Sequence, residues 1–119
     1  MSDTIAAFFA AWGETDDTAR KRTLERILAP HFTYADPMGS ERIAGAAAMS
    51  DFLHGFTAKT PDAGVRVVRV DAHHRFARVA VDFSRDADTP MMRGQYFIDT
   101  DEDGRLTLAV GFSGMGAPE

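Results

Sequence analysis

His31-Phe32-Thr33-Tyr34-Ala35-Asp36-Pro37-Met38-Gly39-Ser40 divides the chain into two kinds of pattern. Its first five residues read as a short strand. Asp36 to Ser40 reads as a turn, because Pro37 fixes φ and Gly39 tolerates angles closed to other residues. Upstream, apolar residues recur with the spacing of a helix. Downstream, past one further helix, they recur with the period of a strand. That order predicts an α+β fold.

Working upstream, Ser2 or Asp3 is placed to cap a first helix. On it Ile5, Phe8, Phe9 and Trp12 follow the i, i+3, i+4, i+7 spacing of one buried face. Gly13 and Glu14-Thr15-Asp16-Asp17 end it. Asp16, Asp17 or Thr18 caps a second helix, with Leu24, Ile27 and Leu28 inward and Arg20, Lys21, Arg22, Glu25 and Arg26 toward water. Pro30 stops that helix.

Working downstream, Ile43-Ala44-Gly45 leads into a third helix, about Ala46 to Phe56, with Met49, Phe52, Leu53 and Phe56 on its apolar side. Thr60 to Gly64 is a loop. Four runs follow: Val65 to Asp71, Phe76 to Ser84, Met91 to Asp99 and Arg105 to Phe112. Turn signals separate them, at His73-His74, at Arg85 to Pro90 and at Asp101-Glu102-Asp103-Gly104. The tail from Ser113 to Glu119 reads as frayed. Three helices before an antiparallel meander predict a cone: a curved mixed or antiparallel sheet, covered on its concave face by helix, around an apolar pocket.

The 119 residues fit one domain, 1–119. With 13 Lys and Arg against 18 Asp and Glu, the net charge is -5. That balance argues against a nucleic-acid surface and against docking on anionic lipid. There is no cysteine, which excludes disulfides, thiolate catalysis and Cys-based metal sites. No basic n-region with an apolar h-region opens the sequence and no run is long enough to span a bilayer, so the expected location is the cytoplasm.

Asp36 is the foremost candidate for chemistry. It ends a strand, precedes a proline and has Phe32, Tyr34 and Met38 nearby. A carboxylate at the mouth of an apolar cavity can move a proton. The alternative is a turn residue that bonds backbone amides. Trp12, the single tryptophan, either donates its indole N–H to a ligand oxygen or is a plain core aromatic. Arg93, Gln95 and Phe97 share one strand face and Met92, Gly94, Tyr96 and Ile98 the other. If Phe97 points inward, Arg93 and Gln95 could orient a carbonyl or carboxylate; if it points outward, they meet solvent or a second subunit. Large apolar residues on both faces suggest that a second copy covers the outer one, making a homodimer. The histidines lack the spacing of a zinc site, and no Gly-rich phosphate loop is present, so neither a metal nor another cofactor is expected.

The run from Leu24 through Ser40, then Ile43-Ala44-Gly45 and the helix through Phe52, resembles the nuclear transport factor 2-like superfamily. It resembles in particular the SnoaL-like and ketosteroid isomerase-like members. The resemblance extends, in the order of elements, over nearly the whole chain. It implies a cystatin-like cone and a general base at Asp36, which shuttles a proton beside a carbonyl. It also aligns Trp12 with the isomerase's first-helix tyrosine donor and Gln95 with its strand carboxylic acid donor, so the base is kept while both donors are exchanged. The final strand offers no acidic residue of the cyclase type, and Arg93-Gly94-Gln95 keeps only the Arg of the epoxide hydrolase set. The expectation is proton transfer on a small apolar carbonyl compound, with Asp36, Trp12 and Gln95 catalytic. Tyr34, Phe56, Val81, Phe83, Arg93, Phe97 and Phe112 are expected around the substrate. The alternatives are a non-catalytic ligand binder or a dimeric interaction module.

Overall fold

The chain is described by a computed structural model that covers residues 2–39, 41–86 and 89–115. The expected turn residues Ser40, Ala87 and Asp88 and the end of the expected frayed tail lie outside the described residues.

The apolar spacing of the N-terminal segment yields helix α1, Ser2–Ala10, which tightens into a 3-10 turn, Ala11–Gly13, that carries Trp12. Asp16 then caps helix α2, Asp17–Ile27: its Oδ1 accepts from the amides of Thr18 and Ala19, two donors the helix itself leaves unpaired. Helix α3 is Gly45–Lys59. The six strands are β1 Leu28–Ala35, β2 Ile43–Ala44, β3 Gly64–His73, β4 Phe76–Asp86, β5 Thr89–Thr100 and β6 Leu106–Ser113.

Their order across the sheet is β2-β1-β6-β5-β4-β3. β1 and β6 run parallel and every other pair is antiparallel. The long strands carry register shifts, between Val67 and Arg69, between Phe83 and Asp86 and between Asp99 and Thr100. Shifts of this kind bend a strand and raise its twist, so the sheet curls without closing. Ile5, Phe8, Phe9, Leu24, Phe32, Met49, Leu53, Val79, Val81 and Ile98 fill the concave side, each all but sealed from solvent. This is the cone expected from the order of elements.

Two local expectations change. Pro30 does not stop the second helix: that helix ends at Ile27, and Leu28 opens the strand directly. Pro30 falls in the irregular stretch between Leu28 and Thr33, where β1 and β6 lose regular pairing, so its missing N–H removes no ladder bond. Arg20, expected in water, is fully buried. Its guanidinium bonds Asp17 Oδ1 at 2.6 Å, Thr57 Oγ1 at 3.2 Å and the Glu14 carbonyl, so it ties the start of α2 to α3. Helical spacing alone cannot reveal this, because a charged residue is assigned to water by default.

Candidate functional site

Helix α3, the Asp36 turn and the ends of β4, β5 and β6 enclose a cavity of about 550 Å³. Trp12, Phe52, Phe56, Phe83 and Tyr96 give it an aromatic wall, and Met38, Met91 and Met92 add flexible thioethers. The charged residues on the lining are Asp36, Asp51 and Lys59.

Asp36 is partly buried and accepts three hydrogen bonds. Its Oδ1 receives the amides of Met38 at 2.8 Å and Gly39 at 2.9 Å, which closes the turn. Its Oδ2 receives the Tyr34 hydroxyl at 2.5 Å. A carboxylate offers about four lone-pair sites, so one remains open. Both readings of Asp36 therefore meet in one side chain: one oxygen serves the turn, and the other belongs to a side-chain network beside the cavity.

That network has a direction. The Tyr34 hydroxyl carries one proton and commits it to Asp36, an acceptor only. The Tyr96 hydroxyl, 3.0 Å from that of Tyr34, is therefore the donor in their shared bond. Tyr34 and Tyr96 stack at 6.1 Å with 29° between their planes. Burial raises the Tyr34 hydroxyl far above the usual phenol range, and the neighbouring Tyr96 and Asp36 raise it further. Burial also raises Tyr96, as does the nearby Asp36 charge. Both phenols stay protonated, so the line of bonds Tyr96 to Tyr34 to Asp36 is intact at neutral pH. Gly111 makes room for it: a Cβ there would stand 2.7 Å from the Tyr96 ring.

Trp12 forms the inner wall, 3% exposed, with its ring edge-to-face against Phe52, Phe56, Phe83 and Tyr96 at 5.3 to 6.2 Å. Its indole N–H is buried and bonds no acceptor.

Of the residues singled out in the sequence, Trp12, Asp36, Phe56 and Phe83 come together on the cavity lining. Phe112 contributes to the rim, while its ring packs edge-to-face on Phe97 at 5.7 Å. Tyr34 and Val81 lie behind the wall, at 1% and 0% exposure, and do not line it. Gln95, Arg93 and Phe97 are corrected outright: they stand on the outer sheet face. Gln95 donates to the Met115 carbonyl at 3.1 Å, Arg93 grips Asp82 at 2.7 and 3.2 Å, and Phe97 is 43% exposed. The reason lies in cross-strand charge pairing. Asp82 sits opposite both Arg66 and Arg93 in the ladder, and this ionic row belongs in water, so Gly94, Tyr96 and Ile98 take the inner face.

Tyr96 is a site group that the sequence does not single out. Alternation along β5 does not reveal it, because Phe97 on the other face is as apolar as Tyr96; the register that sets Arg93 against Asp82 does. Among the described residues no three His, Asp or Glu side chains cluster as metal ligands would. No helix among them is long and apolar enough to cross a membrane.

The fold is shared with solved structures. A protein of the SnoaL-like family from Agrobacterium tumefaciens superposes with a TM-score of 0.84 at 21% identity, over 95% of this chain and 96% of that one. A protein of cystatin-like fold from Methylobium petroleophilum gives 0.77 at 15% identity, over 99% and 78%. A protein with the ketosteroid isomerase-like fold from Catenulispora acidiphila, in complex with trimethylamine, gives 0.76 at 17% identity, over 94% and 85%. No protein-family model matches the sequence, and no curated protein matches it. The chain thus has the nuclear transport factor 2-like, cystatin-like fold, shared with SnoaL-like and ketosteroid isomerase-like proteins.

Proposed function

We propose that the cavity binds a small, mostly apolar carbonyl compound and that Asp36 moves a proton on it. The observation that carries this reading is the position of Asp36: a carboxylate with one lone-pair site open, on the wall of an aromatic cavity, held in place from behind by Tyr34. The proton beside the carbonyl passes to Oδ2, the C–H electron pair forms a C=C bond, and the C=O π pair moves onto the carbonyl oxygen. Return of the proton to the same carbon gives exchange; in a β,γ-unsaturated carbonyl compound, return to the γ-carbon gives an isomerisation. A base so positioned contributes about 10²- to 10⁴-fold to such a step. The donor opposite it is weak, because Gln95 faces outward and the Trp12 N–H is sealed in the wall. Modest proton exchange fits this arrangement better than efficient steroid isomerisation.

The test is deuterium wash-in beside the carbonyl of 2-decalone in heavy water, followed by proton NMR. The native protein is expected to accelerate exchange over buffer, and Asp36→Asn to lose about 100-fold or more of that acceleration. Equal rates for the native protein and Asp36→Asn would remove the base.

A second reading, binding without chemistry, draws on the same carboxylate: three of its hydrogen bonds are already made within the chain. We also propose that two copies pair through the outer sheet face, where Phe76, Phe97 and Phe112 are 54%, 43% and 52% exposed.

A further inference from the structure

We infer that the molecule taken by this cavity carries a positive charge of the alkylammonium type beside its apolar body. The inference rests on the reading of the cavity as a ligand site and holds whether or not Asp36 does chemistry there.

Three observations lead to it. First, the lining bears two carboxylates, Asp36 and Asp51, against one ammonium, Lys59, so its own charge is negative. Second, the partly buried carboxylate on the lining, Asp36, is not neutralised from within. Arg20, His54, Arg66, Arg69, Arg78 and Arg93 pair with Asp17, Asp71 or Asp82, and none of them bonds Asp36. Its partners are two amides and a phenol, which fix its place without cancelling its charge. A carboxylate that faces apolar walls without a counter-charge favours a ligand that brings one. Third, the rest of the wall suits such a ligand. Phe52, Phe56 and Phe83 are only partly buried, and all three pack nearly perpendicular to the Trp12 ring. Aromatic faces attract a methylated ammonium without demanding a hydrogen bond, and they desolvate its methyl groups. A ligand with an anionic group would meet both carboxylates and find one exposed lysine.

The charge also bears on the proton transfer. When a proton leaves the carbon beside a carbonyl, negative charge builds on the oxygen, and strong donors for it are lacking here. An ammonium on the same molecule stabilises that charge from within and acidifies the C–H bond that breaks.

The experiment compares two molecules of one shape, phenyltrimethylammonium and tert-butylbenzene. Both are titrated into the native protein, and binding is read from the fluorescence of Trp12, the single tryptophan. The cation is expected to bind about tenfold or more tightly. Asp36→Asn keeps an oxygen for the turn amides and is expected to remove most of that preference. Equal or tighter binding of tert-butylbenzene to the native protein overturns the inference and leaves the ligand site standing. If neither molecule changes the Trp12 signal, the ligand site falls and the inference with it.

Discussion

Gly111 and Tyr96 face each other across the β5–β6 ladder, and a Cβ on Gly111 would stand 2.7 Å from the Tyr96 ring. The glycine is thus the space in which the ring lies, and the ring in turn holds Tyr34 and, through it, Asp36. Gly111→Ala must push the ring off this line or bend the strand. Overpacking of this kind costs about 1–3 kcal/mol, seen as a lower melting temperature. Gly55 is the control: it lies inside α3 with nothing within 4 Å of an added Cβ. Gly55→Ala is expected to gain about 0.5–1 kcal/mol.

Tyr34 and Tyr96 are the only tyrosines, so phenolate absorbance reads the network without interference. Both are raised above the usual value of 10.0, with burial the first cause. A raised folded value contributes stability that is complete below the unfolded value and lost as pH climbs past it. Alkaline titration is therefore expected to show no phenolate until the chain unfolds, and then both in one step. Gradual ionisation of a tyrosine in folded protein would contradict the buried pair.

Three ion-paired carboxylates set the acid limit, Asp71 and Asp82 on the outer sheet face and Asp17 at the start of α2. Asp82 is lowered from the usual 3.8 first by its hydrogen bond to Arg93, Asp71 first by Arg78, and Asp17 first by His54. Lowered folded values contribute stability that is present above 3.8 and lost as pH falls below it. Melting temperature is expected to hold above about pH 5 and to drop from about pH 4 downward. Asp82→Asn is expected to flatten that drop, and because Asp17 and Asp71 stand more open to solvent than Asp82, added salt should flatten their share of it.

If two copies pair through the outer sheet face, a charge at its centre should part them. Phe97 sits there against Phe112. Phe97→Glu is expected to yield single chains in sedimentation, with the fold unchanged by circular dichroism, where the native protein sediments at twice the chain mass. Native protein that sediments as single chains would end the pairing proposal.

The sequence carried the order of elements because its apolar periods are long and clean. Ile5, Phe8, Phe9 and Trp12 fix the first helix face, and the Asp-Pro-x-Gly segment fixes the turn that presents Asp36. The inner face of β5 was not readable from alternation alone, since Met92, Tyr96 and Ile98 are as apolar in bulk as Phe97. What decides it is the pairing of Arg93 with Asp82, a cross-strand relationship that needs the register. The burial of Arg20 was hidden for a similar reason: its partners at Glu14, Asp17 and Thr57 converge only once α2 and α3 are packed.

Both the proton transfer and the cation preference require that ligands enter the cavity beside Asp36 and Trp12. Chemical-shift mapping of nitrogen-labelled protein during titration with 2-decalone asks this residue by residue, because the single indole N–H and the Met38 and Gly39 amides bonded to Asp36 are separate probes. These three signals are expected to move first, while the Gln95 and Phe97 amides stay still. Shifts confined to the outer sheet face, with the indole signal unmoved, would contradict entry into the cavity.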